Sequence, residues 1–367
     1  MKILTVFGTR PEAIKMCPLI LELKKRKEFE TVVCTTGQHR ELLGQVLEIF
    51  HITADFELEI MTENQTLGDI TTKVLLGMQG VIAKTKPDVV LVHGDTTTSF
   101  AAALAAFYSK VRVGHVEAGL RTYNKYSPFP EEMNRNLVSK IADIHFAPTQ
   151  GNKAALNAEG ITENVFVTGN TVIDCFATTV KENYIFKDAK LQELDFSKKI
   201  ILLTAHRREN WGQGLEGICD SVAELSKKHP QLTFVYPVHP NPIVKNQVYG
   251  KLSGLQNVKL IDPIDVEDMH NLMAKCFFVL TDSGGLQEEA PHLKKPVVVL
   301  RKETERPEAV AAGTAVVAGT HREKIVEICE RLLTDTDFYE GMSKAKNPYG
   351  DGSASRRIAD ILSGECF

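Results

Sequence analysis

Short apolar runs alternate with amphipathic stretches along the first half of the chain. The apolar runs predict strands over residues 3–7, 31–35, 89–92, 111–116, 143–147 and 165–171, the last passing into a hinge. The stretches between them predict helices over residues 11–25, 41–50, 66–84, 100–108 and 131–141. Apolar side chains recur at the 3.6-residue helical period within residues 66–84. Alternation of strands and helices favours a mainly parallel sheet.

The same alternation starts again in the second half. Strands are predicted over residues 200–204, 232–236, 258–261, 277–281, 297–300 and 313–317, and an amphipathic helix over residues 322–333. We therefore expect an α/β protein with two doubly wound, Rossmann-like domains that face a cleft. The expected domains are residues 1–170 and 171–352. The last segment, residues 353–367, contains a final helix that could pack back on the first domain.

The length and composition of the chain agree with two α/β domains and give no reason to expect nucleic acid or membranes as partners. A chain of 367 residues with 43% hydrophobic content can fill two cores. A net charge of −4 and no Lys/Arg-rich tract give no reason to expect a nucleic acid partner. No run approaches the roughly 18 apolar residues of a membrane span, so no membrane association is expected. Seven cysteines without C-x-x-C spacing suggest buried free thiols and a cytoplasmic location.

Three carboxylates follow strands or open a helix in the first domain. Asp95 and Glu117 come just after predicted strands, and Glu131 begins a predicted helix. Because chemistry collects at the carboxyl edge of an open α/β sheet, we expect the three side chains to converge there. Mutual repulsion would then separate their pKa values and suit them to proton transfer.

Two strand-to-helix turns are candidates for binding phosphate. Residues 8–12 join the first strand to the first helix, with Arg10 at the turn and Lys15 one turn inside. Free N–H groups and the helix dipole could hold a diphosphate there, although an ordinary turn with solvated Arg and Lys explains the pattern equally well. The turn is neither a dinucleotide fingerprint nor a Walker A loop, since it lacks their further glycines.

The second turn lies in the second domain. Ser283, Gly284 and Gly285 follow an apolar run and open a helix, which suits a pyrophosphate nest. Glu289, one turn into that helix, could accept hydrogen bonds from ribose hydroxyls, whereas Glu288 is expected to be solvated. A Gly-Gly turn alone is a weak signal.

Two basic side chains follow strands of the second domain. His206 stands at a strand end facing the proposed nest, and Arg306 precedes a probable helix start, although capping or solvated charge would also explain both. The 11 histidines show no H-E-x-x-H spacing, so no metal site is predicted.

Taken together, these segments resemble the non-hydrolysing UDP-N-acetylglucosamine 2-epimerases of bacteria. The matching segments are collinear and span nearly the whole chain: GTRPEAIK at 8–15, QHR at 38–40, HGDTT at 93–97, GHVEAGLR at 114–121, PEE at 130–132, GNTVID at 169–174, HRREN at 206–210 and TDSGGLQEEAP at 281–291. Any one segment is weak evidence, but the set is highly specific. One departure is Met269, since many relatives carry an aromatic residue there, near the uracil.

The resemblance implies a glycosyltransferase-B-like fold and reversible conversion of UDP-GlcNAc to UDP-ManNAc without NAD or metal. It implies elimination of UDP, a bound 2-acetamidoglucal and readdition after reprotonation of C2. By position, Asp95, Glu117 and Glu131 match catalytic carboxylates, with His206 as a further catalytic candidate. The matching UDP and sugar contacts are His206, Ser283, Gly284, Gly285, Glu289, Arg306, Arg10, Lys15, Asp95 and Glu117.

The resemblance further implies a homodimer and a regulatory pocket for UDP-GlcNAc. Gln38, His39 and Arg40 lie in the matching segment, so we expect activation by substrate. Three alternatives stay open: a hydrolysing epimerase that releases ManNAc and UDP, a glycosyltransferase of the same fold, and a UDP-sugar-binding regulator without turnover. The surface-glycan pathway that the product would enter is not indicated by the sequence.

Overall fold

The computed structural model describes residues 1–37, 40–62 and 64–364, although the side chain of Arg40 lies outside the description. The strands are β1 Lys2–Phe7, β2 Glu30–Thr35, β3 Phe56–Glu57, β4 Val89–His93, β5 Arg112–Val116, β6 Ile144–Ala147, β7 Val165–Val167, β8 Ile200–Thr204, β9 Thr233–Pro237, β10 Val258–Ile261, β11 Phe278–Thr281, β12 Val297–Val299 and β13 Ala315–Val317.

The α helices connect these strands and follow the predicted ones closely. They are α1 Arg10–Lys25, α2 Arg40–Ile49, α3 Leu67–Thr85, α4 Thr97–Tyr108, α5 Glu131–Ile141, α6 Gln150–Ala158, α7 Phe176–Thr179, α8 Ala189–Gln192, α9 Gln213–Lys228, α10 Pro242–Leu252, α11 Val266–Lys275, α12 Gly284–Glu289, α13 Pro307–Ala311, α14 Arg322–Thr334, α15 Thr336–Lys344 and α16 Ala354–Ser363.

The first unit comprises Met1–Thr178 together with the chain from Tyr349 onward. Its sheet has the order β3-β2-β1-β4-β5-β6-β7, with every pair parallel. Helices cover both faces, so a central strand such as β4 is buried along its whole length. This burial explains why the strands read as continuous apolar runs.

The second unit comprises Thr179–Pro348. Its parallel sheet has the order β10-β9-β8-β11-β12-β13, which is the Rossmann order 3-2-1-4-5-6. The direction of winding reverses between β8 and β11, which pair directly. Ligands of such sheets bind outside the carboxyl ends at this reversal. The expected class of two doubly wound α/β domains is confirmed.

Helix α16 completes the core of the first unit. Ile358, Ala359, Ile361 and Leu362 are buried with residues of α1 in one apolar cluster. Asp174 fixes the start of α16, because its carboxylate accepts hydrogen bonds from the backbone N–H groups of Ala354 at 3.2 Å and of Ser355 at 2.8 Å. The first unit ends at Thr178 and resumes at Tyr349, whereas the sequence placed the domain ends at residues 170 and 352.

Three smaller predictions can be compared with the structure. Strand β7 ends at Val167, earlier than expected, because the chain turns at Gly169 (φ +90°), where an added Cβ would lie 3.3 Å from the Cα of Gly350. The six described cysteines are free and buried, as expected. In the described part of the chain, no helix has the length and hydropathy that a membrane span requires.

Candidate active site

Asp95 and Glu117 follow neighbouring strands at the carboxyl edge of the first sheet. Strand β4 ends at His93, which pairs in register with Val116 at the end of β5. The turn after β4 is tied to β5, because the N–H of Gly94 donates to the carbonyl of Val116 at 2.9 Å. The topology therefore brings the two predicted carboxylates to adjacent positions on one edge.

Glu117 is a buried carboxylate with a cation against it. The Lys15 ammonium pairs with Oε2 of Glu117, and the Asn170 amide donates to the same oxygen at 3.0 Å. The ring Nε2 of His93 lies 3.5 Å from it. Glu117 also has a left-handed backbone conformation (φ 63°), which is uncommon for a residue other than glycine.

These neighbours keep the Glu117 carboxylate ionised. Burial alone would raise its pKa, but the Lys15 ammonium and the adjacent His93 ring hold the pKa well below its usual range. The forces that govern this pKa are burial, Lys15 and His93, so the expectation that repulsion between carboxylates sets it is wrong.

Asp95 has a different cation as its partner. Arg135 of α5 contacts Oδ2 of Asp95 through Nε at 3.1 Å and through Nη2. The same guanidinium donates from Nη1 to Glu132 at 3.2 Å, and Asn134 donates to the backbone carbonyl of Asp95 at 2.9 Å. Helix α5 therefore fixes both the side chain and the backbone of Asp95.

Glu131 stands in the first turn of α5, half-buried. Within the described residues it makes no hydrogen bond or ion pair, so the structure does not join it to the other two carboxylates. Its neighbour Glu132 is the buried one, and it accepts hydrogen bonds from the backbone N–H groups of Thr122 and Tyr123, each at 3.0 Å. Glu132 thereby holds the loop before α5.

The start of α1 does not offer the free donors that its sequence suggested. The carboxylate of Glu12 accepts from the N–H of Gly8 at 3.0 Å and of Thr9 at 2.8 Å, and the N–H of Glu12 donates to the Thr9 hydroxyl. This capping box takes up donors at the start of α1, as in the ordinary turn that the sequence left open as an alternative to a phosphate-binding one. Arg10 lies half-buried at the first position of α1.

The second oxygen of Glu12 reaches the neighbouring turn. Oε1 accepts from the hydroxyls of Thr96 at 2.6 Å and of Ser99 at 3.1 Å, both at the start of α4. Because Asp95 immediately precedes Thr96, Glu12 ties the turn that carries Asp95 to the turn that carries Arg10. This buried carboxylate organises the edge of the first sheet.

In the second unit, the Gly-Gly turn is surrounded by predicted site residues. A Cβ on Gly284 would lie 3.6 Å from Nη2 of Arg306, and one on Gly285 would lie 3.0 Å from Oε1 of Glu289. The structure therefore brings Gly284 to Arg306 and Gly285 to Glu289. Ser283 precedes α12 and provides no side-chain cap for it.

The two glutamates that follow this turn, Glu288 and Glu289, each contact a basic side chain. Glu288 is buried and forms an ion pair with Nε of Arg306, so the expectation that Glu288 is solvated is wrong. Oε2 of Glu289 lies 3.3 Å from Nε2 of the buried His270. The pairing with Glu288 holds the Arg306 guanidinium against the start of α12.

His206 is held at the end of β8 by Asp282, the residue before the Gly-Gly turn. Oδ2 of Asp282 accepts from the N–H groups of His206 and Arg207, each at 2.8 Å. The His206 ring stacks on His239 with centroids 5.3 Å apart. Burial lowers the pKa of His206, with His239 and Arg207 acting in the same direction against Asp282, which favours the neutral ring.

Several predicted features fall outside these clusters. Gln38 and His39 lie outside the described residues, and Arg40 begins α2 with its side chain outside the description. Among described residues, no group of three or more His, Cys, Asp or Glu side chains is arranged to hold a metal ion.

The sequence analysis missed five polar residues that organise the edges: Glu12, His93, Arg135, Asn170 and Asp282. Signals existed for some of them. Thr9 and Glu12 have the spacing of a capping box, and Arg135 lies one helical turn after Glu131. The partnership of Asn170 with Glu117 had no local signal, because 53 residues separate the two.

The fold and these two edges define a two-unit α/β protein of the glycosyltransferase-B-like class. The family model for UDP-N-acetylglucosamine 2-epimerase matches residues 21–363, and the chain belongs to that family. The UDP-N-acetylglucosamine 2-epimerase of Bacillus subtilis is 53% identical over 363 residues, covering 99% of this chain and 95% of that protein.

Solved structures agree with this assignment. The crystal structure of UDP-GlcNAc 2-epimerase from Neisseria meningitidis bound to UDP-GlcNAc has a TM-score of 0.90 and 50% sequence identity, covering 99% of this chain and all of that one. The more distant structure from Methanocaldococcus jannaschii is 34% identical with a TM-score of 0.85, covering 99% of this chain and 100% of that one.

Proposed function

We propose that this protein interconverts UDP-N-acetylglucosamine and UDP-N-acetylmannosamine without hydrolysis, through elimination of UDP, a bound 2-acetamidoglucal and readdition. The observation that carries the proposal is Glu117, a buried carboxylate held ionised by Lys15 beside Asp95. Abstraction of a weakly acidic C2 proton requires an unprotonated base in a fixed position. Membership of the epimerase family supports the substrate.

The first unit supplies the groups for the sugar. The C2 proton is a poor acid, so cleavage of the C1–O bond runs ahead of proton removal and leaves positive charge at C1. Carboxylates stabilise that charge and move the C2 proton, a role that we assign to Asp95, Glu117 and Glu131. Arg10 and Lys15 are the basic residues that we assign to the sugar and diphosphate.

The second unit supplies the groups for UDP. We assign the diphosphate to the turn of Ser283, Gly284 and Gly285, where Arg306 approaches the backbone. Glu289 would accept hydrogen bonds from the ribose hydroxyls. His206, held by Asp282 and favoured as the neutral ring, would contact the diphosphate as a hydrogen-bond donor.

A hydrolysing epimerase is the main alternative. It would use the same fold and most of the same acidic positions, but would release ManNAc and UDP. Residues 8–15, with Pro11 and Lys15, resemble the non-hydrolysing group better. The ion pair of Lys15 with Glu117 gives this segment a direct part in the site.

Proton NMR with UDP-GlcNAc in D₂O tests the proposal. Formation of UDP-ManNAc with deuterium at C2 of both sugars is the expected result. Free ManNAc and UDP in equal amounts would establish the hydrolysing reaction instead. Binding of UDP-GlcNAc without any C2 exchange would leave a binding protein or a transferase that lacks its acceptor.

We further propose a homodimer, which the exposed apolar side chains of α3, α4 and α5 support: Leu76, Phe107, Tyr108, Met133 and Leu137. Light scattering of the purified chain decides between monomer and dimer. The six buried free thiols support a cytoplasmic location.

We also propose substrate activation through Gln38, His39 and Arg40. Sigmoidal kinetics that Gln38→Ala abolishes would support it, whereas hyperbolic kinetics at all substrate levels would contradict it.

A further inference from the structure

The two oxygens of the Glu117 carboxylate have different surroundings. Oε2 receives the Lys15 ammonium and the Asn170 amide and faces the His93 ring. Oε1 accepts no hydrogen bond from another described residue. It faces Gly94, on which an added Cβ would lie 3.8 Å away. Since glycine has no side chain, the space beside Oε1 at the turn before Asp95 stays open.

We propose that Lys15, His93 and Asn170 hold Oε2 of Glu117 so that Oε1, rather than Oε2, is the Glu117 oxygen that exchanges a proton with C2 of the substrate, with His93 and Asn170 as positioning residues. The inference rests on the proposed epimerase reaction. In the elimination, Oε1 takes the C2 proton, and the C2–H electron pair forms the C1=C2 bond. The C1–O bond breaks, and UDP leaves with the electron pair of that C1–O bond.

Asn170 is built to hold a fixed orientation. Its Oδ1 accepts from the N–H of Val172 at 3.1 Å, and its own backbone N–H donates to the carbonyl of Tyr349 at 2.7 Å. The hydrogen bond to Val172 identifies the oxygen of the amide, so the nitrogen faces Glu117. Asn170 is 3% exposed, so its amide donor, 3.0 Å from Oε2, is shielded from bulk solvent.

His93 approaches the same oxygen from a different element. It is the last residue of β4 and is 3% exposed, and Nε2, which lies 3.5 Å from Oε2, has no hydrogen-bond partner among the described residues. Lys15 comes from α1, His93 from β4 and Asn170 from the segment after β7. Three elements therefore converge on Oε2, and this explains why Glu117 keeps its strained backbone conformation.

The Asn170→Asp variant tests whether Asn170 positions the Glu117 carboxylate or only supports the fold around it. The new side chain keeps an oxygen for the N–H of Val172 but replaces the donor with a negative charge facing Oε2. We expect kcat to fall about 10- to 100-fold, the scale of a lost hydrogen bond to a charged group, with KM nearly unchanged. The acidic limb of the pH profile of kcat/KM should move to higher pH, because a second negative charge raises the pKa of Glu117.

Matched variants control for charge and burial. Asn157→Asp makes the same change at an exposed position of α6 and should leave the profile in place. His93→Asn should also move the acidic limb to higher pH, since it removes a group that lowers the pKa of Glu117. His145→Asn, at a buried histidine of β6, should not move it.

Two failures can be told apart. If the unaltered protein puts no deuterium at C2, the proposed reaction is wrong. If it exchanges C2 but the acidic limb stays fixed in Asn170→Asp and His93→Asn, the reaction stands and the positioning role is overturned. A lower kcat without movement of the limb would count as a merely structural effect and equally overturn it. If Asn170→Asp does not fold, the pH profile of His93→Asn decides.

Discussion

The carboxyl edges of the two sheets are prepared in opposite ways. In the first unit, side chains close the starts of the nearby helices: Glu12 and Thr9 cap α1, and Thr96 caps α4. In the second unit, α12 begins at Gly284 with no side-chain cap. At the first edge, polar side chains cap the helices and hold the carboxylates in place. At the second edge, no side chain caps the backbone N–H groups at the start of α12, so they remain available to a ligand.

The cations follow the same division. In the first unit, Lys15 and Arg135 each hold a different carboxylate, so the cluster carries compensated charge before any ligand arrives. In the second unit, Arg306 forms an ion pair with Glu288, and its guanidinium lies close to Gly284. We infer that the first edge is organised for reaction and the second for recognition, and four experiments test this contrast.

Glu117→Gln should have the largest effect. It removes the base and leaves the buried Lys15 ammonium without its carboxylate, so we expect kcat to fall by about 10²- to 10⁴-fold. Isothermal titration should show UDP affinity changed far less, because UDP is assigned to the other edge. Glu163→Gln, at an exposed position, is the matched control. A loss of UDP affinity as large as the loss of kcat would contradict the division between a reacting first edge and a UDP-binding second edge.

Asp95→Asn should lower turnover by at least ~100-fold, the usual scale of lost acid–base assistance. The amide keeps the shape of the side chain but loses the charge that Arg135 holds. Steady-state kinetics with UDP-GlcNAc measure the change. Near-normal turnover would remove Asp95 from the mechanism and leave Arg135 with a structural role only.

Low pH should lower the free energy of unfolding of the first unit. Burial lowers the pKa of His115 to about 3 and of His145 to about 4, so both stay neutral in the fold while the unfolded chain takes up protons below its ordinary histidine pKa of about 6.5. Stability is therefore complete above pH about 6.5 and is lost as pH falls toward about 4.

Hydrogen exchange followed by mass spectrometry at pH 7 and pH 4.5, corrected for intrinsic rates, measures this loss peptide by peptide. Peptides from β5 and β6 should lose protection as the pH falls. His115→Gln should reduce the loss in those peptides. Equal protection at both pH values would show that these histidines do not control the acid stability of the sheet.

Gly285→Ala should give the smallest of the four effects. Its Cβ would lie 3.0 Å from Oε1 of Glu289, which must move by a few tenths of an ångström. We expect the Kd for UDP to rise about fivefold to tenfold, or ~1–1.4 kcal/mol, at the lower end of the 1–3 kcal/mol that overpacking typically costs, while bound substrate turns over almost normally. Gly250→Ala on α10, with nothing near its added Cβ, should not change the Kd.

Much of the architecture could be predicted because it depends on local pattern. The buried parallel strands read as apolar runs, and α3 shows its helical period directly. The two-residue strand β3 could not be found, because Phe56 and Glu57 gain strand geometry only by pairing with β2. The turn at Gly169 after β7 lies close to Gly350, a neighbour that is distant in sequence and that no local pattern indicates.

The candidate site could be predicted less completely, and the reason is the range of its contacts. Strand-end position was enough to select Asp95 and Glu117, since topology alone brings strand ends together. It could not assign Lys15 to Glu117 across 102 residues, nor show that Glu288 rather than solvent faces Arg306. Two interpretations of the start of α1 stayed open, because a helix end with free donors and a capped one share the same glycine turn.

The return of α16 to the first unit has a consequence for synthesis of the protein. The second unit is continuous in sequence, so all its strands have been synthesised before the chain reaches Tyr349. The first unit must wait for Ile358 and Leu362 to cover α1. The usual order, in which the N-terminal domain folds first, is therefore reversed for the final step. A nascent chain stalled before α16 would leave an apolar stripe of α1 exposed to water.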